Sequence, residues 1–545
     1  MSKKKVIVIG LDGGTWTILN QLIERGKAPF FSHLCKNGIC GVLRSITPPV
    51  TAPAWTSFLT GQNPGKHGLY DFQRIDFATN TRNLTFSTDC KSANIMDYLN
   101  DNGKRSLFVN VPLTFPPRPI NGVLIAGFPV PPESDFVYPP EMQREIKKLN
   151  YIIDWMEIYK ERKILSKASM IKISDKSQID VFTSLLKKDD WDIAMIVISG
   201  TDHIAHLEWQ KGNIKGVKNY YAFIDHILYE LHKMNLFDGA TTVVMSDHGF
   251  GGASYSFFMN TWLSKEGYLS FKAEKDETYD VFLKEFRNTV YGKRKGIISR
   301  MLKSVGLTRE NLIYIGKKTG MIRLERYLPH SVISVFPSYE FSIDWDRTMA
   351  YMISNASKGI NINLQGREKT GIVARKEYDR VRKEIVQKLR ELKTEDGRSI
   401  FQIAEIREDV YFGPFVTDAP DIVTWPFPDF KIRIGTNQKN YMRRVTEAQH
   451  TLNGIYIFSG EDFLSGEHGK EISIMDITPT IMHIMGLPVP EDMDGKVAIN
   501  FFAPDSSAKK RPIQFRKPLS ANRNVSKTET SEKGIAEKLK ALGYL

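Results

Sequence analysis

Cysteine is scarce in this chain, with only Cys35, Cys40 and Cys90 among 545 residues. Thiols at such irregular spacing form neither a disulfide framework nor a zinc knuckle, so a reduced, cytoplasmic setting is expected and stability has to come from packing. Long apolar runs are also missing. No stretch approaches the roughly 20 apolar residues that cross a bilayer. The run Val6–Ile9 that follows Lys3, Lys4 and Lys5 is too short for a signal-peptide core, and no small-residue cleavage site follows it. Contact with an anionic membrane is expected at most peripherally. No recognisable nucleic-acid reader motif occurs, which excludes sequence-specific reading of DNA or RNA from the expected functions. Acidic residues are sparse in one stretch, Arg287 to Arg326, where Glu310 and Glu325 are the only two.

What is present suits a large globular protein. Hydrophobic residues make up 41% and charged residues 25%, and the length exceeds what one growing core usually fills, so a main domain with an added unit is expected. The excess of 75 Lys and Arg over 62 Asp and Glu leaves +13, which favours anionic partners without choosing among them. Nothing in the sequence sets the oligomeric state.

Short runs rich in Val and Ile, at Val6–Ile9, Ile193–Ile198 and Thr241–Met245, predict buried parallel strands of an α/β sheet. Each run is followed by candidate chemistry: Asp12 after the first, Asp202 after the second, Asp247 and His248 after the third. Ligands bind beyond the carboxyl ends of such strands, so these side chains are expected to converge. The expected domain plan is a catalytic core over 1–254, an inserted, largely helical basic cap over 255–345, and a second part of the core over 346–502. A surface-wrapped or flexible tail over 503–545 completes it. Within that plan Ile297–Lys303 and Ile535–Leu545 read as amphipathic segments, Gly359–Leu364 as a strand and Glu377–Lys393 as a charged helix.

Two local patterns point to chemistry, each of them weak on its own. In Val50-Thr51-Ala52-Pro53-Ala54-Trp55, Pro53 suits the first turn of a helix, placing the Thr51 hydroxyl at a helix N-terminus that favours phosphate; a helix cap is the structural alternative. In Asp202-His203-Ile204-Ala205-His206, Asp202 and His206 share one helix face and can grip one metal.

In this order and spacing, Asp12, Thr51-Ala52-Pro53 with Thr60-Gly61 and Asn63-Pro64-Gly65-Lys66-His67-Gly68, Asp202 with His206, and Asp247-His248-Gly249 resemble the type I phosphodiesterase and nucleotide pyrophosphatase branch of the alkaline phosphatase superfamily. The late segments Asp476-Ile477-Thr478-Pro479-Thr480 and Met493-Asp494-Gly495 are similar to its C-terminal part. The resemblance implies a central, mostly parallel sheet flanked by helices, with the cap inserted in it. It also implies hydrolysis of phosphodiesters or pyrophosphates through a phosphothreonine at Thr51. Two divalent ions are implied, one on Asp12, Thr51, Asp247 and His248, the other on Asp202, His206 and a last histidine. His450, which precedes Gly454–Gly460, fits that last place better than His468 in Glu467-His468-Gly469. Carboxylate and imidazole ligands suit zinc, with manganese or iron as alternatives.

The resemblance is broken at Ala54, where related nucleotide pyrophosphatases place an Asn that holds a phosphoryl oxygen. Sulfatases carry a modifiable Cys or Ser followed by an Arg, and neither stands here. The expected partner is a small phosphate ester, with Trp55 as an apolar surface for the second group of a diester and Lys66 as a cationic contact. Arg367 and Glu368 are expected as a surface ion pair, and His67 and His203 as structural residues. Phosphotransfer to an alcohol, hydrolysis of phosphomonoesters, and a membrane-associated scaffold of low activity are the competing readings.

Overall fold

A computed structural model describes residues 5–77, 81–131, 134–161, 165–209, 212–272, 343–435 and 439–521. The main sheet uses β1 (Lys5–Leu11), β2 (Gly38–Arg44), β3 (Ser106–Val111), β4 (Gly122–Ala126), β5 (Val137–Tyr138), β6 (Ile193–Ile198) and β7 (Ala240–Met245). A smaller sheet uses β8 (Gly249–Phe258), β9 (Phe430–Arg433) and β10 (Met442–Thr451). The chain then returns to the main sheet in β11 (Asn453–Ser459) and β12 (Glu467–His468). The order across the main sheet is β12-β2-β11-β7-β1-β6-β3-β4-β5. Strands β7, β1, β6, β3 and β4 pair in parallel, while β11 runs antiparallel to both of its neighbours.

Both faces of this sheet are covered, which is why its strands read as continuous apolar runs. Along β1, Ile7, Ile9 and Leu11 enter one apolar cluster and Val6 and Val8 the other. Helices Trp16–Glu24, Lys167–Lys188 and Ile214–Lys233 supply the first cluster, and Thr51–Thr60, Ile95–Asp101 and Ile477–Ile484 much of the second. Each fully buried Val, Leu or Ile contributes about 1.5–3 kcal/mol. The result is the three-layer α/β arrangement expected from the sequence.

A separate core lies around Phe257, Trp262, Ile360, Ile385, Leu389 and Ile432. It packs the smaller sheet against helix Tyr378–Glu391 and the antiparallel pair Phe401–Ile406 and Ile422–Pro426. Apolar packing therefore joins residues 257–269 to 350–432, across the boundary drawn at residue 345. Only Asn361–Ile362 of the strand expected over 359–364 is strand. Residues 503–521 lie along the main domain: Phe515–Arg516 pairs with Val489–Pro490, and Arg516 reaches Asp101 at 2.6 Å. Residues 273–342, with Ile297–Lys303, and the terminal piece 535–545 lie outside the described residues. No helix among the described residues is long and apolar enough to cross a membrane.

Candidate metal and phosphoryl site

Topology brings the acidic residues together. Strands β7, β1 and β6 are neighbours and point the same way, so the residues that leave their carboxyl ends emerge side by side. Asp12 follows β1, and Asp247 and His248 follow β7. Asp202 sits on the short helix Gly200–Ile204 after β6, and His206 on the wider π-type turn Ala205–Trp209 that continues it. His450 arrives from the other direction, near the end of β10 and opposite Phe250. Thr51 is itself the first helical residue of Thr51–Thr60, one position further in than the sequence suggested. No side chain caps that helix, which leaves its positive end facing the cluster.

The side chains meet closely. His248 Nε2 lies 3.3 Å from Asp247 Oδ2, 3.6 Å from Asp12 Oδ1 and 3.4 Å from Thr51 Oγ1. Asp202 Oδ1 lies 3.2 Å from His450 Nε2 and 3.4 Å from His206 Nε2. The Nε2 atoms of His206 and His450 are 3.0 Å apart, and the rings of His248 and His450 stack at 3.7 Å. Asp12, Asp247 and His248 form one potential ligand group, and Asp202, His248 and His450 another.

Ring orientation shows which nitrogens carry protons. His248 Nδ1 donates to the Gly249 carbonyl and His450 Nδ1 to the Pro49 carbonyl, each at 3.0 Å. Both Nε2 atoms are left with lone pairs turned into the cluster, the arrangement of metal-ligating imidazoles held from behind. Asp12 Oδ1, Asp202 Oδ1 and Asp247 Oδ2 are buried and have no hydrogen-bond partner among the described residues. Buried carboxylate oxygens and imidazole lone pairs converge here within a few ångströms, and this donor set fits divalent metal.

The electrostatics agree. Burial, then repulsion from Asp247 and Asp202, holds the Asp12 carboxyl well above its ordinary range. Burial pushes Asp247 up to about 8, with the Gly13 amide opposing and Asp202 adding to the rise. Asp202 goes the other way: burial raises it, but His206 and His450 together hold it well below the usual value. Burial pulls His450 down to about 3. Gly13, at φ +66°, supports the arrangement by donating its amide to Asp247 Oδ1 at 3.1 Å. Thr201 fixes the neighbouring backbone through bonds from Oγ1 to the Asp12 and Ile198 carbonyls, at 2.5 and 3.1 Å.

Several expected roles are corrected by the fold. Trp55 presents no surface to a substrate: it is fully buried, edge-on to Phe58, and packs over β1 so tightly that a Cβ on Gly10 would lie 2.6 Å from its ring. Lys66 lies beyond the far end of helix Thr51–Thr60, whose ends are roughly 14 Å apart at 1.5 Å per residue. There it pairs with Asp494 at 2.5 Å and donates to the Asp492 carbonyl at 2.8 Å, tying the early turn to the C-terminal segment. His468 is exposed on edge strand β12, 3.8 Å from Cys40 Sγ, whereas His450 is in the cluster. Arg367 and Glu368 are not a surface pair. Glu368 is buried, and Arg367 also binds the buried carboxylate of Asp421 at 2.6 Å. His67 is buried at 2.9 Å from Ser57 Oγ, a structural place as expected.

The sequence reading missed the Pro49 carbonyl, for which position before Thr51 was the only signal.

Comparison with known proteins gives the cluster a family. The model of the type I phosphodiesterase / nucleotide pyrophosphatase family matches residues 6–304, more than half of the 545. Human ectonucleotide pyrophosphatase / phosphodiesterase 5 superposes with a TM-score of 0.50 at 12% identity, over 92% of this chain and 100% of that one. Phosphonoacetate hydrolase from Sinorhizobium meliloti 1021, in complex with phosphonoformate, superposes with a TM-score of 0.53 at 14% identity, over 87% of this chain and 94% of that one. At these identities the two structures speak for the fold. No curated protein matches the chain. By its sequence match, its sheet and the buried Asp and His cluster at the sheet's carboxyl edge, the chain belongs to the type I phosphodiesterase / nucleotide pyrophosphatase family and is a phosphohydrolase of the alkaline phosphatase superfamily.

Proposed function

We propose that the protein cleaves phosphodiester or pyrophosphate bonds through a covalent phosphothreonine at Thr51. The observation that carries this reading is the set of buried carboxylate oxygens, on Asp12, Asp202 and Asp247, that lack hydrogen-bond partners around a helix-terminal threonine. Two divalent cations, zinc by ligand type, held by Asp12, Thr51, Asp247 and His248 and by Asp202, His206 and His450, would supply Lewis acidity to the phosphoryl oxygens and lower the pKa of the Thr51 hydroxyl.

The chain's own residues do the rest. Thr51 gives its hydroxyl proton to solvent as Oγ1 forms the new bond to phosphorus and the bond to the leaving oxygen breaks, and the departing group takes a proton from solvent. Water then attacks phosphorus, the bond from phosphorus to Thr51 Oγ1 breaks, one proton of the water returns to Oγ1, and the other passes to solvent with the water oxygen left on the released phosphate. Throughout, the uncapped end of helix Thr51–Thr60 favours the anion. The Gly249 and Pro49 carbonyls hold His248 and His450 with Nε2 facing inward. Ala54 brings no polar side chain to the phosphoryl group, so selectivity has to come from elsewhere.

The test is turnover of bis-p-nitrophenyl phosphate by the metal-reconstituted protein and by Thr51→Ala, with metal content measured on the same samples. Turnover that disappears in the variant while about two ions remain bound supports the mechanism. Equal turnover by both proteins would exclude Thr51 as nucleophile.

A further inference from the structure

The second core turns a face toward the carboxylate cluster, and that face carries cations, Lys358 buried and Lys431 and Arg433 partly exposed. Partner residues of β8 and β9 alternate, so Phe257, Phe430 and Ile432 enter the apolar core while Ser256, Lys431 and Arg433 lie on the other side. Lys431 donates to the Ala448 carbonyl at 2.7 Å, two residues before His450, and Asp202 acts on it electrostatically. Lys358 adjoins this row and feels Lys431, Arg433 and Asp71.

Lys358 is unusual. Its side chain is buried at 8% exposure, and among the described residues its ammonium has no carboxylate or carbonyl partner, resting instead 4.2 Å from the centre of the Trp425 ring. Its backbone is held at φ +53°, a conformation a lysine rarely adopts, and its carbonyl is fixed by the Thr424 hydroxyl. A buried ammonium in a strained segment is costly unless something repays it. Two further groups in the neighbouring row are unsatisfied: Ser256 Oγ, opposite Lys431, and Arg433 Nε are buried without a hydrogen-bond partner among the described residues. The carboxylates nearby are committed. Glu447 pairs with Arg433 and with Lys431, at 2.5 and 3.5 Å, and Asp71 accepts from the Ser354 hydroxyl and the Ser357 amide. Burial, then Lys431, pulls Lys358 down to about 7, and burial, then Arg433, pulls Lys431 down to about 8, a field that an anion would relieve.

We propose that Lys358, with Lys431, Arg433 and Ser256, forms an oxyanion site that holds a second negatively charged group of the substrate, next to the phosphoryl group presented to Thr51. This rests on the phosphohydrolase reading and narrows it to substrates with two anionic centres, foremost pyrophosphate linkages. Bidentate and charge-assisted bonds from Lys and Arg to a phosphoryl group are the strong kind.

The metal-loaded full chain, Lys358→Met and Lys358→Arg are titrated calorimetrically with inorganic pyrophosphate and with orthophosphate. They are then assayed on a nucleoside diphosphate ester and on bis-p-nitrophenyl phosphate. Lys358→Met should weaken pyrophosphate binding about ten-fold more than orthophosphate binding, and should lower the ratio of kcat/KM for the diphosphate ester over the simple diester by a similar factor. Lys358→Arg should restore most of both. Equal weakening of the two anions, an unaltered kcat/KM ratio, or a wild type that binds pyrophosphate no more tightly than orthophosphate would overturn the proposal. If Lys358→Met fails to fold by its melting curve, Ser256→Ala and Arg433→Gln are read the same way. If the wild type cleaves neither ester, the phosphohydrolase mechanism fails, while the pyrophosphate titration still decides on the anion site.

Discussion

The carboxyl edge of the main sheet and the facing side of the second core are both polar and opposite in sign, the first buried and the second in part. At the edge, Asp12, Asp202 and Asp247 crowd together with oxygens that meet no donor, and burial with mutual repulsion drives Asp12 and Asp247 upward. On the facing side, Lys358 and Lys431 crowd with Arg433, and burial with repulsion drives the lysines downward. Each keeps an unmet group: three carboxylate oxygens at the edge, and on the facing side the Lys358 ammonium, which has no acceptor among the described residues. A buried charge without a partner costs several kcal/mol, so each region is built for something that arrives later: cations at the edge, anions on the face. A phosphate ester between them would meet both demands.

Breaking the edge at its nucleophile should have the largest effect. Thr51→Ala should lower diester turnover by about 10³-fold or more, with bound metal retained, as stopped assays and metal analysis on one sample would show. A retained rate would place the nucleophile elsewhere. Next comes the scaffold of the second core. Arg367→Met leaves buried Asp421 with one cation fewer, and should destabilise that core by about 3 kcal/mol in denaturant titrations. A change under a few tenths of that would mean Arg407 and Tyr378 suffice.

The charge comparison sharpens in a variant that changes sign with metal. With cation at 100-fold its Kd, the wild type should gain about 2.7 kcal/mol of stability over the chelated form. Asp12→Asn should lose part of that gain, yet when chelated it should be the more stable of the two proteins, because it removes one of the repelling carboxylates. A chelated variant weaker than chelated wild type would show that repulsion is not the dominant cost.

Asp175 is another buried carboxylate of the same domain, bound to the Tyr220 hydroxyl and to the amide of Gly200, at the start of the helix that carries Asp202. Burial raises it to about 7 from an ordinary 3.8. The native state therefore keeps a proton that the unfolded chain releases, and stability should fall as pH rises from about 4 to 7. Asp175→Asn should flatten that slope in unfolding titrations; an unchanged slope would assign it to other groups. The smallest effect is expected at Lys66→Ala, which removes a partly exposed pair worth about 1 kcal/mol or less. It should leave kcat/KM within about two-fold, since the lysine lies a helix length from Thr51; a large loss would reinstate it as a substrate contact.

Much of the edge was legible before any fold was known. Asp12, Asp202, Asp247 and His248 each follow an apolar run, and runs of that kind become parallel strands whose carboxyl ends align. Thr51 was legible because Pro53 marks a helix start. Trp55 was misread because a sequence does not tell which side of a helix faces a sheet, and Lys66 because closeness along the chain says nothing about a helix length of separation. The facing cations were invisible for a related reason. Lys358 and Lys431 stand 73 positions apart, and neither periodicity nor spacing joins a loop residue to one on a distant strand.

What the sequence determined by itself is the local part: which segments become buried strands, where a helix begins beside Thr51, and which ligand types follow each strand. These depend on side-chain periodicity and on neighbours a few residues away. Only the tertiary structure decided that His450 rather than His468 enters the cluster, that Trp55 is core, and that Lys358 faces the site. Those outcomes depend on strand order and on the packing of two cores, and long-range pairing is set by the burial of the whole molecule rather than by any single stretch of chain.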